Sequence, residues 1–159
     1  MRSEAALKQA IDKYGDMVKR ICMVHLKNHA DMEDIFQNVF LRYYQDDTDF
    51  VSEEHEKAWM IKVTINACKD LLKSFFHRQM VPLDDYINSY GTTNDEHKHV
   101  LSCLLQLPPK YKLTLYLYYY EGYKVEEIAK ILKKKPASIY SLLQRGRMMM
   151  KDVLSDEEV

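Results

Sequence analysis

Residues 125–150 read VEEIAKILKKKPASIYSLLQRGRMMM. Val125, Ile128, Ala129 and Leu132 stand at i, i+3, i+4 and i+7, the spacing of one apolar face on a short helix. Lys133, Lys134 and Lys135 interrupt that pattern. Pro136 cannot continue a helix but fits the first position of a new one. Beyond it Ile139, Leu142, Leu143, Gly146, Met150 and Val153 again keep to one face. A short helix, a tight turn and a longer helix make a helix-turn-helix, an arrangement that places its second helix in the major groove of DNA. Gly146 falls on the inner face, where a missing side chain lets two helices approach closely. The same residue weakens an isolated helix by ~1 kcal/mol, so tertiary contacts must compensate.

The outer face of the second helix carries Ser138, Tyr140, Ser141, Gln144, Arg145 and Arg147. Arginine can give two hydrogen bonds to guanine, glutamine can pair twice with adenine, and serine suits several base edges. The lysines of the turn stand where a phosphate backbone would pass. Charge points the same way. The whole chain has a net charge of −1, yet eight bases face only two acids between Lys124 and Lys151, a local net of +6. A basic stretch on a near-neutral protein points to a specific polyanion site.

Outward from this motif the chain remains helical. Leu113, Tyr116, Leu117 and Tyr120 stripe a preceding helix that Pro109 can open and Gly122 can close. Tyr118, Tyr119 and Tyr120 are three consecutive rings and cannot share one buried face, so the exposed ones are expected to meet a partner. Val100, Leu101, Leu104 and Leu105 begin this domain. Before them, 79–96 is acidic and aperiodic, with Pro82, Asn88, Gly91 and Asn94, and reads as a linker. The N-terminal part shows stripes at Leu7 to His25 and at Ile35 to Tyr43, with Asp31 as the cap of the second. A loop from Gln45 to Ser52 follows. Ser52 then caps a helix to about Phe76, apolar on several faces. The expected fold is all-α: two small helical domains, 1–78 and 97–159, joined by a flexible linker, the second containing the helix-turn-helix.

Composition narrows the function. Four glycines and four prolines in 159 residues are too few for the many turns of an all-β fold. No apolar run approaches the ~18 residues of a membrane span, and the N-terminus lacks the apolar core of a signal peptide, so a cytoplasmic protein without membrane insertion is expected. Cys22, Cys68 and Cys103 form no CxxC pair and read as small buried apolar side chains. His97, His99 and Cys103 match no zinc spacing. No metal, cofactor or catalytic residue is expected.

Several segments in order resemble the extracytoplasmic-function group of bacterial sigma factors. ADMEDIFQNVFLRYY is similar to that family's polymerase-binding helix, with Asp34 and Gln37 at its core. KAWMIKVTINACKDLL is similar to its promoter-binding helix, with Trp59, Lys62, Asn66 and Asp70 in matching places. VPLDD resembles the opening of its linker, and LPPKYKLTLYLYYYEGYKVEEIAKIL the first helices of its C-terminal domain. Five positions depart from the pattern. Asn38 replaces a common acid, Ile65 a common arginine, Lys133 and Lys134 a glycine and an apolar residue, and Leu142 a frequent arginine.

The resemblance implies a factor that directs RNA polymerase core to specific promoters. Asp34, Gln37, Asn38 and Leu41 would dock on the β′ clamp helices. The loop before Ser52 would hold the −10 element as a melted strand, with Phe50 stacking a base and Lys62, Asn66 and Lys69 along the following helix, aided by Lys73 and Arg78. Tyr140, Ser141, Gln144 and Arg145 would read the −35 duplex, with Lys134, Lys135, Ser138 and Arg147 on its backbone. The implied partners are promoter DNA, polymerase core through the β′ clamp helices and the β flap, and an anti-sigma factor. Two other functions fit parts of the pattern: a freestanding helix-turn-helix regulator, and a sigma-like decoy that binds polymerase without initiating.

Overall fold

The computed structural model describes the backbone of residues 1–74 and 95–157 and the side chains of 1–74 and 99–155. The chain divides into two compact units, Met1–Tyr90 and Gly91–Val159. The first holds α1 (Glu4–His25), α2 (His29–Gln45) and α3 (Glu53–Ser74). The second holds α4 (Asp95–Leu105), α5 (Pro109–Leu115) with a π turn over Tyr116–Tyr120, α6 (Val125–Leu132) and α7 (Pro136–Glu157). No strand occurs among the described residues, as an all-α fold requires.

In the first unit each of the three helices packs on the other two. Val18, Ile21, Cys22, Met32, Val39, Met60, Ile61 and Cys68 are fully enclosed between them. Polar groups close the same core. The Tyr14 and Tyr43 hydroxyls donate to the two oxygens of Glu56, at 2.8 and 3.0 Å, so one carboxylate ties all three helices. Burial, then the bonds to Glu56, push both hydroxyls above the ordinary tyrosine range, which keeps them donors. The caps correct one expectation. Asn28, not Asp31, caps α2: its side chain accepts the Asp31 N–H at 3.2 Å. Asn28 is the residue in extended backbone, which leaves Asp31 inside the first turn, favoured there by the helix dipole. Ser52 caps α3 as its sequence position predicts, accepting the His55 N–H at 3.1 Å. Gln45 belongs to α2, so the loop is 46–52. Residues 75–76, Arg78 and most of the expected linker lie outside the described residues; Asp95 and Glu96, expected at the linker's end, are helical.

In the second unit α7 packs on α4, α5 and α6. Gly146 lies against α5: a Cβ there would stand 3.0 Å from Leu115 Cδ1. That contact is the compensation the inner-face glycine needed. The π turn ends at Gly122, whose φ of +75° favours glycine. Two bonds close it, Glu121 N–H to Tyr116 C=O and Tyr123 N–H to Leu117 C=O. Helix α6 ends in the same hand at Lys133, with φ 55° and ψ 47°, while Lys134 N–H bonds Ala129 C=O at 2.9 Å. This is a Schellman closure with a lysine at the left-handed position, where a side chain costs ~1–2 kcal/mol. Glycine's extra freedom in the unfolded chain offsets part of the relief. Lys133→Gly is therefore expected to stabilise the second unit by about 0.5–1 kcal/mol and raise its Tm by a few degrees, measurable by thermal unfolding.

Candidate nucleic-acid interface

The helix-turn-helix is built as the pattern requires. Lys135 C=O accepts from Ser138 N–H and Ile139 N–H, so Pro136, which has no N–H to give, sits in the first turn of α7. Ile139 and Leu143 are buried, which turns the opposite face outward. Tyr140, Ser141, Gln144 and Arg145 are all exposed on that face, with Ser138 beside them. Lys134 and Lys135 are exposed in the turn. Met148 also belongs to this face: it is 64% exposed, one turn after Gln144 and two after Ser141. Sequence reading passed over it because a methionine in an apolar run reads as core.

Arg147 is placed differently. Its Nε donates to the Tyr119 hydroxyl, and its guanidinium carbon lies 5.5 Å from the Tyr118 and Tyr119 ring centroids. It stands on the flank of α7 that faces the π turn, one turn from Gln144, and remains exposed while the tyrosines engage it. Leu142, at the family's frequent arginine position, is buried and contributes to packing.

Tyr116 and Leu117 are buried, whereas Tyr119 and Tyr120 are exposed, so the ring run divides as a helical turn must. Tyr116 stacks on Tyr120 with centroids 5.4 Å apart. Beside them lies an apolar groove of about 600 Å³, lined by Val100, Leu104, Tyr119, Tyr120, Met150 and Leu154 among others.

The first unit presents two further faces. Asp34, Gln37, Asn38 and Leu41 are exposed at i, i+3, i+4 and i+7 of α2, one stripe opposite buried Met32, Ile35, Val39 and Tyr43. Leu41 is 56% exposed, an apolar side chain in a polar frame. On α3, Lys62, Asn66 and Lys69 repeat that spacing, all exposed, with Lys73 continuing the row. Ile65, at the family's arginine position, is buried and has no access to a ligand.

The loop 46–52 joins these helices. Phe50 is half-buried among rings: parallel to Tyr43 at 6.4 Å, and edge-on to His55 and Trp59 at 5.1 and 5.8 Å. Next to it Val51 is 89% exposed. An apolar side chain standing free in an acidic loop is the signal that sequence reading missed. The loop's own fastenings are local. Thr48 N–H bonds the Asp46 carboxylate at 2.7 Å, and Val51 N–H bonds His55 Nδ1 at 3.2 Å. Hydrogen bonds from Thr48, with the Arg2 charge nearby, hold the Asp46 carboxyl below the usual carboxylate range. Among the described residues no three His, Cys, Asp or Glu side chains gather as a metal site, and no helix is long and apolar enough to cross a membrane. Cys22, Cys68 and Cys103 are buried and form no disulfide.

Comparison with known proteins accounts for this pairing of faces. The family model described as "Sigma-70 region 2" matches residues 10–74, and "Sigma-70, region 4" matches residues 98–150. The ECF RNA polymerase sigma factor SigW of Bacillus subtilis is 23% identical over 95% of this chain and 90% of its own length. The chain belongs to the sigma-70 family, in its extracytoplasmic-function group. A second relative, the ECF RNA polymerase sigma factor SigE of Mycolicibacterium smegmatis, is 24% identical over 92% of this sigma factor, which spans 61% of SigE's length. Among solved structures, the sigma factor RpoE from Bartonella quintana, in complex with the anti-sigma factor NepR, has a TM-score of 0.70 at 18% identity, covering 93% of this chain and 96% of that one. CnrH, in complex with the cytosolic domain of CnrY, has a TM-score of 0.68 at 18% identity, covering 97% and 90%. Both share the fold.

A salt titration measures how much of the second unit's DNA binding is phosphate contact. With about four phosphates neutralised, affinity is expected to fall about 100-fold between 50 and 200 mM salt, and Lys134→Ala should reduce the slope by about one. A flat response would remove DNA from the account of the basic turn.

Proposed function

We propose that this sigma factor assembles with RNA polymerase core, holds the −10 element through its first unit and reads the −35 element through its second. One observation carries the reading: residues 10–74 and 98–150 match the two promoter-contacting regions of one family, in order, and each match falls on a unit with an exposed face of suitable chemistry. The α2 stripe offers the β′ clamp helices an apolar anchor, Leu41, framed by Asp34, Gln37 and Asn38. The loop and the Lys62–Asn66–Lys69 row receive the melted −10 strand. Tyr140, Ser141, Gln144 and Arg145 meet base edges in the −35 major groove, and Lys134, Lys135 and Ser138 meet its backbone. Arg147 joins the backbone contacts through its Nη donors while Tyr119 holds its Nε. The apolar groove beside Tyr119 and Tyr120 fits a partner helix, from the β flap or from an anti-sigma factor such as the NepR bound to RpoE from Bartonella quintana. The polymerase performs the chemistry. The sigma factor contributes binding in the cytoplasm.

A freestanding regulator would use α6 and α7 alone and would leave the α2 stripe without purpose. A decoy would keep the stripe and dispense with Arg145. Co-sedimentation with core polymerase separates the first of these: a stoichiometric complex is expected, and no complex would refute the sigma assignment.

A further inference from the structure

Arg2 precedes the segment that matches the family, yet it engages the 46–52 loop at several points. Its backbone N–H bonds Tyr44 C=O at 2.9 Å. Its Nε donates to Tyr43 C=O at 2.9 Å, in the last turn of α2. Its Nη2 donates to Thr48 C=O at 2.7 Å and reaches the Asp46 carboxylate at 3.5 Å. The guanidinium carbon lies 4.5 Å from the Tyr43 ring centroid and 5.0 Å from that of Phe50. The side chain is only 17% exposed. One planar cation thus links the end of α2, a loop carbonyl and the ring of Phe50.

We propose that Arg2 is a positioning residue for promoter melting: it fixes the loop backbone and Phe50 in the conformation that receives the −10 strand. This rests on the reading that the loop receives that strand. Three physical points support it. The loop's own hydrogen bonds tie Asp46 to Thr48 and Val51 to His55, and the Met1 ammonium pairs with Asp47 at 2.6 Å; from the end of α2 only the Tyr43 ring reaches Phe50, and Arg2 lies over both of those rings. Asp46, Asp47 and Asp49 make the loop repel phosphate, and a guanidinium beside Asp46 offsets part of that charge. A loop already held in its binding form loses less entropy when it binds. The geometry needs a fork with several donors and a flat face for the rings, which lysine lacks.

The test reconstitutes holoenzyme from core polymerase and transcribes a template library randomised at the −10 and −35 positions, counting the sequences that yield transcripts. Arg2→Ala should lower the sequence preference at −10 by about tenfold and leave that at −35 unchanged, with helix content and Tm close to the parent chain. Arg2→Lys, which keeps the charge, should lose as much, and it serves as the second variant if the alanine form folds poorly. Recovery in Arg2→Lys would mean that only charge matters and would overturn the proposal. So would an equal loss at both elements, or an unchanged −10 preference. Val51→Asp distinguishes the cause of failure. If it too leaves the −10 preference unchanged, the loop is not the receiving site. If it abolishes that preference while Arg2→Ala does not, the loop reading holds and Arg2's role falls.

Discussion

A Leu41→Asp variant is expected to keep its fold and lose most of its affinity for polymerase core. The side chain is more than half exposed, so replacing it removes little from the helix bundle, whose core lies on the opposite face of α2. In a complex the same side chain would be covered. An anchoring residue at the centre of an interface is worth roughly 2–4 kcal/mol, which is about 30- to 1000-fold in affinity. Leucine ranks below tryptophan, tyrosine and arginine as an anchor, so Leu41→Ala belongs at the weak end of that range. Aspartate adds the cost of covering an unpaired charge and takes the variant toward the strong end. Asp34→Ala should matter less, about 0.2–1 kcal/mol, because an exposed charge at an interface rim is solvated and screened. Binding of labelled chain to core polymerase, with helix content as the control, measures both. Equal affinity for Leu41→Asp and the parent would remove α2 from the docking surface.

The second large effect is at Arg145. Arg145→Ala is expected to weaken −35 binding by about 1–3 kcal/mol, or 5- to 150-fold, and to relax preference at one base while leaving the others intact. Arg145 is exposed on the outer face of α7, one turn from Ser141, and its removal opens no cavity. A uniform loss across all sequences would instead make it a phosphate contact. Unchanged binding and unchanged transcription would favour the decoy.

The helix-turn-helix was legible in the sequence because its signals are local. Pro136 fixes a helix start, and the apolar period fixes which face is buried, so the exposed residues of α7 follow without tertiary information. The same logic puts Gly146 on the inner face of α7, though not its neighbour Leu115, while the α2 stripe rests on the family resemblance. What the sequence did not disclose depends on chain segments far apart. Arg2 acts on carbonyls and rings 41 to 48 positions away, and no periodicity or motif marks such a residue. Asn28 and Asp31 are both capping types; the extended backbone at Asn28 decides between them. Arg147 also meets Tyr119, 28 positions earlier, a contact that no local pattern in the sequence marks. Ile65 and Leu142 explain two departures from the family pattern: both positions are buried, so neither offers a side chain to DNA.

Transcript mapping tests the central claim most directly. Core polymerase, this sigma factor and fragmented genomic DNA of the source organism are combined, and the transcript starts are sequenced. The account predicts starts at a limited set of sites, absent with core alone, each preceded by one shared −10 sequence and one shared −35 sequence. Preference at −35 should weaken in Arg145→Ala, and all the starts should fade in Leu41→Asp. Starts that are the same with and without the chain, or that share no upstream sequence, would contradict it.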